Sequence, residues 1–223
     1  MRTPSSARTL LLLSGGVEST TLLFQLLAQG RTPVPLFADY SQRSAEQERL
    51  AAARACESCG LPAPPQLLDL RAEGRAHQRI NRLHVPLPLR NLTLLSLVLG
   101  WATTHRCSSV ALGLNADDFG KDAEFAASGA VRYTTGTREF VQRFEGLAAV
   151  VAPGVAIELP QAAMTKTEVV AEGVRLGGAP ALLRSYSCMR GRAIHCGTCM
   201  QCVARRAAFA EAAVREPAGF YER

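Results

Sequence analysis

The sequence predicts an α/β protein, with a doubly wound parallel sheet and a small C-terminal module. Three observations predict it. Five short apolar runs alternate with segments of helical pattern along most of the 223 residues. A glycine turn follows the first run directly. Four of the seven cysteines crowd into residues 188–202. Short apolar runs flanked by turn residues suit strands covered on both faces, and strand–helix alternation builds an open parallel sheet.

The strand candidates are 8–13 (RTLLLL), 33–38 (PVPLFA), 66–70 (QLLDL), 109–114 (SVALGL) and 154–159 (GVAIEL). Helical patterns cover 19–29, 44–59, 91–105, 137–149 and 165–176. In such a sheet the crossovers are right-handed, and the ligand crevice lies at the carboxyl ends of the strands. Residues 71–90, rich in Arg and containing Pro, read as an active-site loop, and 115–136 as a second one. From about residue 186 the composition turns to Cys, Gly and Arg. The expected division is a nucleotide-binding α/β domain over 1–185 and a module of four cysteines and a helix over 186–223.

Hydrophobic content of 48% suits a globular chain with a real core. No apolar run is long enough to span a bilayer, and M-R-T-P-S-S-A-R does not open a secretory signal. A soluble cytoplasmic protein without a membrane partner is expected. The net charge of +6 comes from dispersed arginines rather than a basic run. Dispersal favours solvated arginines over a nucleic-acid surface.

The turn S-G-G-V-E-S-T (14–20) places Gly15 and Gly16 between a strand and a helix. Glycines permit a tight turn and close backbone approach. Ser14, Ser19 and Thr20 add hydroxyls, and the free N–H groups of the helix start face the same place. Together they suit a phosphate or pyrophosphate. A turn that merely caps its helix is the plainer alternative.

Cys188, Cys196, Cys199 and Cys202 have the spacing C-x7-C-x2-C-x2-C. Four thiolates close a tetrahedral structural Zn²⁺ site, and folding of the module would be coupled to the metal. An iron–sulfur cluster is the rival, since C-x2-C-x2-C also suits one. The second C-x2-C, Cys56 to Cys59, reads as packing at a helix end, and Cys107 as buried.

The S-G-G-V-E-S-T turn resembles the pyrophosphate loop of the N-type ATP pyrophosphatases, a Rossmann-like superfamily. Its members attack ATP at the α-phosphate, release pyrophosphate and hold an adenylated substrate. Taken with the cysteine module, the chain resembles the QueC-like 7-cyano-7-deazaguanine synthase family. "FADYSQR" (37–43) is similar to F-D-Y-G-Q-R, "VPLPLRN" (85–91) to V-P-x-R-N, and "MTKTEVV" (164–170) to a D-K-x-E helix start. "GLNADDF" (113–119) is similar to the segment before the family's substrate loop. "SCMRGRAIHCGTCMQCVARRAAF" (187–209) is similar to S-C-Y-x-G…C-G-x-C-x-x-C-x-x-R-x-x-A-F.

The resemblance implies an ATP-dependent ligase with Mg²⁺ and Zn²⁺. It would adenylate 7-carboxy-7-deazaguanine and, with ammonia, convert it to the amide and then the nitrile. Ser14, Gly15, Gly16, Ser19 and Thr20 would hold phosphate. Asp39, Tyr40 and Gln42 would lie near the adenosine or the reacting carboxylate. Arg90 would clamp phosphate or substrate, with Asn91 capping the helix behind it. Asn115 and Asp118 would meet the deazaguanine. Lys166 would contact phosphate, and Glu18 would face the metal or its waters.

Three features depart from the family pattern. Glu18 stands where aspartate is expected. The stretch between "DL" (69–70) and "VPLPLRN" is short. The S-G-Y-P-D-C-R motif is replaced by other residues within 120–136. A diverged paralogue, of the kind found beside anti-phage genes, is therefore a second branch; it would pass the activated base to another amine, such as a protein amine. A tRNA-modifying pyrophosphatase with an iron–sulfur cluster is another class, and a non-catalytic nucleotide-binding or RNA-binding module a third. The sequence leaves a homodimer open.

Overall fold

The computed structural model describes residues 7–80, 87, 89–119 and 134–222. Five strands form one sheet: β1 (Arg8–Leu12), β2 (Thr32–Asp39), β3 (Gln66–Asp69), β4 (Ser109–Ala111) and β5 (Ala156–Glu158). The order is β3-β2-β1-β4-β5 and every pairing is parallel. All five expected strands are present.

The helices are α1 (Val17–Ala28), α2 (Ala45–Ser58), α3 (Arg71–Ile80), α4 (Arg90–Thr104), α5 (Arg138–Val151), α6 (Lys166–Arg175), α7 (Ala179–Leu183) and α8 (Met200–Glu211). The side-chain period of two divides the sheet between two cores. Leu10, Val34, Leu36 and Val110 face one way, packing with Val98 of α4 and Phe144 of α5. Leu11, Phe37 and Ala111 face the other, packing with Leu22, Leu23 and Leu26 of α1 and Ala52 and Ala55 of α2. Burial on both faces explains why the strands read as unbroken apolar runs. Each fully buried leucine contributes roughly 1.5–3 kcal/mol over exposure.

The segment expected as a loop over 71–90 begins instead as α3. Its described side chains are mostly exposed, so no apolar stripe marks it. It packs by its backbone: a Cβ on Gly74 would lie 1.8 Å from the Tyr40 carbonyl oxygen. Ser41 Oγ donates to the Arg71 carbonyl and Gln78 Nε2 to the Ser41 carbonyl, at 3.1 and 2.8 Å. Residues 81–86 and 88 lie outside the described residues, as do residues 120–133 of the altered stretch 120–136.

The C-terminal module packs tightly onto the α/β unit. Val17 of α1, Val169 and Val170 of α6, Leu182 of α7 and Phe209 of α8 form one cluster. Ala51 of α2 joins Tyr186, Cys188, Cys196 and Cys202 in another. The T-K-T-E start of α6 is a full capping box between Thr165 and Glu168. Among the described residues no helix is long and apolar enough to cross a membrane.

Candidate active site

Strand order reverses between β1 and β4, and parallel sheets place their ligand crevice at the carboxyl ends there. The glycine turn occupies this position. Gly15 sits at φ +76°, and a Cβ on it would lie 2.5 Å from the Glu48 carbonyl oxygen and 2.6 Å from the Ala52 nitrogen. The turn is thus pressed against α2. Gly16 is the N-cap of α1, in extended conformation and with no side-chain cap. Ser19 does not cap α1. Its hydroxyl lies 3.1 Å from Ser14 Oγ and donates to the Gly16 carbonyl at 3.3 Å. Among the described residues the first amides of α1 have no side-chain acceptor, which suits an anion. Tyr186 N donates to the Gly15 carbonyl at 2.8 Å and ties the turn to the cysteine module.

Glu18, in the first turn of α1, forms an ion pair with Lys166 Nζ. Both side chains are largely buried. Asn115 Nδ2 donates to the same carboxylate oxygen at 3.3 Å. A glutamate at a helix N-terminus is favourable and a lysine is not; Glu18 thus explains a cation at the start of α6. The Lys166 backbone N–H donates to Asp117 Oδ2 at 2.9 Å. Asn115 and Asp118 each accept the other's backbone N–H, at 3.0 and 3.2 Å. This reciprocal turn fixes the segment that carries Asn115 to Glu18.

A cavity of about 320 Å³ opens beside the turn, within the range of small-molecule sites. Leu12, Phe37, Leu94, Leu112 and Phe140 give it an apolar wall. Its polar lining includes Ser14, Glu18, Ser19, Tyr40, Gln42, Glu48, Arg90 and Asn91. Gln42 braces the second loop, accepting from Tyr40 N at 2.9 Å and donating to the Ala38 carbonyl and Glu48 Oε2 at 3.1 and 3.0 Å. Asp39 accepts from Ser41 N at 3.0 Å and is not part of the lining. Thr20 lies behind the wall, fully buried, its hydroxyl unpartnered among the described residues.

Arg90 opens α4 at the cavity edge. Its Nε donates to Asn91 Oδ1 at 3.1 Å, and its Nη1 lies 3.5 Å from the Tyr40 hydroxyl. The expectation that Asn91 caps the helix is overturned. Leu89 is the N-cap, in left-handed conformation at φ 49°, and Asn91 reaches across to the Thr135 carbonyl at 2.8 Å. Glu48 and Thr135 had no signal in the sequence: one reads as a solvated helix acid, the other as loop.

The four cysteines of the module converge. Their sulfurs lie within 4.8 Å of one another, and Cys196 Sγ is 3.9 Å from Cys202 Sγ. This cluster could hold a metal ion. Hydrogen bonding from the Thr198 backbone, joined by that of Cys199, pulls the Cys196 thiol down to about 6 despite burial. Burial pushes the Cys56 and Cys59 thiols up to about 11 and about 12. Cys56 lies in the core and Cys59 packs against it at the end of α2, the helix-end packing expected. Cys107 is buried in the sheet core.

The parallel sheet and its switch-point turn define an N-type ATP pyrophosphatase-like fold. The U34-tRNA thiolase NcsA of Methanococcus maripaludis, solved with its [4Fe-4S] cluster, superposes with a TM-score of 0.55 at 14% identity. The match covers 92% of this chain but 64% of that one. The NMN synthetase of Francisella tularensis gives 0.53 at 13%, over 97% and 81%. At such identities the likeness concerns the fold alone.

The chain belongs to the QueC family. The family model described as "Queuosine biosynthesis protein QueC" matches residues 8–78 and 68–213. The 7-cyano-7-deazaguanine synthase of Pseudomonas fluorescens (strain Pf0-1) is 30% identical over 97% of both chains. That of Ralstonia nicotianae is 33% identical over 94% of this chain and 97% of its own. That of Xanthomonas oryzae pv. oryzae (strain PXO99A) is 34% identical over 94% and 96%.

Proposed function

We propose that this chain is an ATP-dependent carbon–nitrogen ligase that converts 7-carboxy-7-deazaguanine to the 7-cyano base. The observation that carries this reading is the cavity itself, which joins an uncapped helix start, the Arg90 guanidinium and an apolar wall at the switch point. A carboxylate is a poor electrophile because its charge repels nucleophiles and oxide leaves badly. One carboxylate oxygen attacks the α-phosphorus of ATP and pyrophosphate leaves. Ammonia then attacks the acyl carbon, AMP leaves, and a proton is lost to give the amide. The amide oxygen attacks a second ATP in the same way. Loss of AMP and of the nitrogen's protons leaves the nitrile.

On this reading the amides of α1 with Ser14 and Ser19 hold the departing pyrophosphate. Arg90 in the cavity lining and Lys166, held by Glu18, neutralise phosphate charge. Mg²⁺ accompanying ATP would spread that charge further, and Glu18 and Glu48 are the carboxylates of the lining that would face it. Glu18 also holds Lys166 in place. Tyr40 and the apolar wall suit a flat heterocycle. Incubation with ATP, ammonia and the carboxylate tests the assignment by mass spectrometry. Nitrile and AMP are expected. Amide alone, or an adduct on a protein amine, would favour a diverged paralogue; no AMP would overturn the assignment.

Glu18→Gln removes the charge that holds Lys166. AMP formation should fall about 100-fold, the scale of a misplaced reacting group, and the melting temperature should drop by several degrees because the Lys166 ammonium is left largely buried without its counter-charge. Full activity in this variant would sink the role.

The cysteine cluster is proposed to hold one structural Zn²⁺. A Zn–S bond of about 2.3 Å sets tetrahedral sulfurs about 3.8 Å apart, and Cys196 and Cys202 stand at 3.9 Å. A cubane cluster would spread its thiolates further. Metal analysis should return one zinc per chain in colourless protein. Brown protein with iron would decide for the iron–sulfur reading.

A further inference from the structure

We propose that Asn91 is a positioning residue that aims the Arg90 guanidinium at a bound anion. The role rests on the reading of Arg90 as the clamp for ATP phosphate or substrate carboxylate. Asn91 lies in the first turn of α4 and lines the cavity. Its two side-chain atoms are engaged in opposite senses. Oδ1 accepts from Arg90 Nε at 3.1 Å, and Nδ2 donates to the Thr135 carbonyl at 2.8 Å. An arginine nitrogen can only donate and a carbonyl can only accept. The amide is therefore fixed in one orientation by its partners, with no freedom to flip.

The consequence is a rigid brace. A guanidinium on a long side chain loses rotamer freedom when it must meet a ligand in one pose. Here Asn91 holds Nε from one side and the Tyr40 hydroxyl meets Nη1 at 3.5 Å from another. Of the five N–H donors of an arginine, those on Nη2 have no partner among the described residues, so they are left for an anion. The far end of the brace is backbone. Thr135 is buried, lines the same cavity and belongs to the described end of the altered stretch 120–136. The strained turn at Leu89, left-handed in a residue that disfavours it, sets the direction in which Arg90 and Asn91 leave the helix start. An N-capping asparagine would have no such dual contact, and capping would not require an arginine beside it.

A double-mutant cycle tests the role. Asn91→Ala, Asn91→Asp, Arg90→Ala and the double variant R90A/N91A are compared by ATP affinity, by steady-state AMP formation and by melting temperature. N91A should lower kcat/KM for AMP formation roughly 10- to 100-fold, the range expected of a misplaced group. R90A should lower it at least as far. The double variant should match R90A alone, because Asn91 acts through Arg90. N91D keeps the shape and the acceptor but loses the donor to Thr135; it should be as impaired as N91A while still folded. Multiplying effects in the double variant would show that Asn91 acts independently and would overturn the proposal. So would wild-type kinetics in N91A or N91D. A strong R90A defect beside a neutral N91A would overturn the brace and leave the clamp standing. A neutral R90A, or a wild-type chain that forms no AMP, would overturn the functional reading and this role with it.

Discussion

Gly15→Ala is expected to damage both folding and nucleotide binding, although it adds one methyl group. The new Cβ would stand 2.5 Å from the Glu48 carbonyl oxygen, 2.6 Å from the Ala52 nitrogen and 2.9 Å from the Ala51 Cβ. Two of these are backbone atoms of α2 and cannot swing aside. The helix or the turn must move. Overpacking of this kind costs about 1–3 kcal/mol, and the positive φ adds about 1–2 kcal/mol for any residue with a Cβ. A sum of about 2–5 kcal/mol lowers the melting temperature of a chain this long by about 5–15 °C. Gly30→Ala is the internal control. Gly30 has φ +70° but nothing within 4 Å of its would-be Cβ, so it bears the backbone cost alone. Thermal unfolding of the two variants side by side separates collision from conformation. ATP affinity should fall in G15A and stay unchanged in G30A, because only Gly15 sets the distance between the phosphate turn and α2. Equal melting temperatures for the two would show that the turn is not wedged against the helix.

The double glycine was legible as a turn, and the wedge was not, because its partners in α2 are more than thirty positions away in sequence. The same limit recurs across the site. Leu10 and Leu11 sit next to each other and face opposite cores, so an unbroken apolar run was enough to place β1. α3 buries little of its described surface and is held by a close approach to the Tyr40 backbone and hydrogen bonds with Ser41; its strongly polar, arginine-rich composition offered no apolar face to mark it as a packed helix. Glu18 and Lys166 each stood out, one as a departure from the family loop and the other as a cation at a helix start. Their pairing joins positions 148 apart, and only the packing of α1 on α6 brings them together. Asn91 shows the opposite failure. Its residue type favours helix starts, yet the chain enters α4 through Leu89 and frees the amide for Arg90 and Thr135. Local preference described what Asn91 could do, and tertiary contact decided what it does.

Arg205→Met is expected to cost about 3–5 kcal/mol, the scale for removing one partner of a buried ion pair. Arg205 is fully buried and Glu216 is 10% exposed. Arg205 Nε donates to Glu216 at 2.7 Å. Nη1 donates to the carbonyl and hydroxyl of Ser185 and to the Ser187 hydroxyl, and Nη2 to the Leu182 carbonyl at 2.9 Å. The guanidinium also lies over the rings of Phe209 and Phe220 at 4.4 and 4.6 Å. Methionine fills much of the volume but leaves a buried carboxylate and several oxygens without donors. Arg205→Lys keeps the charge yet cannot span acceptors on three sides, so it should recover only a fraction. R205M/E216Q removes the stranded charge and should regain part of the loss; a double variant as unstable as R205M would mean that the carbonyls, not Glu216, set the cost. The effect should also reach the nucleotide turn. Ser185 and Ser187 flank Tyr186, whose N–H holds the Gly15 carbonyl at 2.8 Å. Freed of Arg205, this segment loses its anchor. Hydrogen exchange should then quicken at Tyr186 and at the start of α1 before it quickens in β1 and β4, and ATP affinity should fall at temperatures where the sheet is intact. Exchange that rises everywhere at once would show that the module and the sheet unfold as one unit and that Arg205 anchors the whole chain.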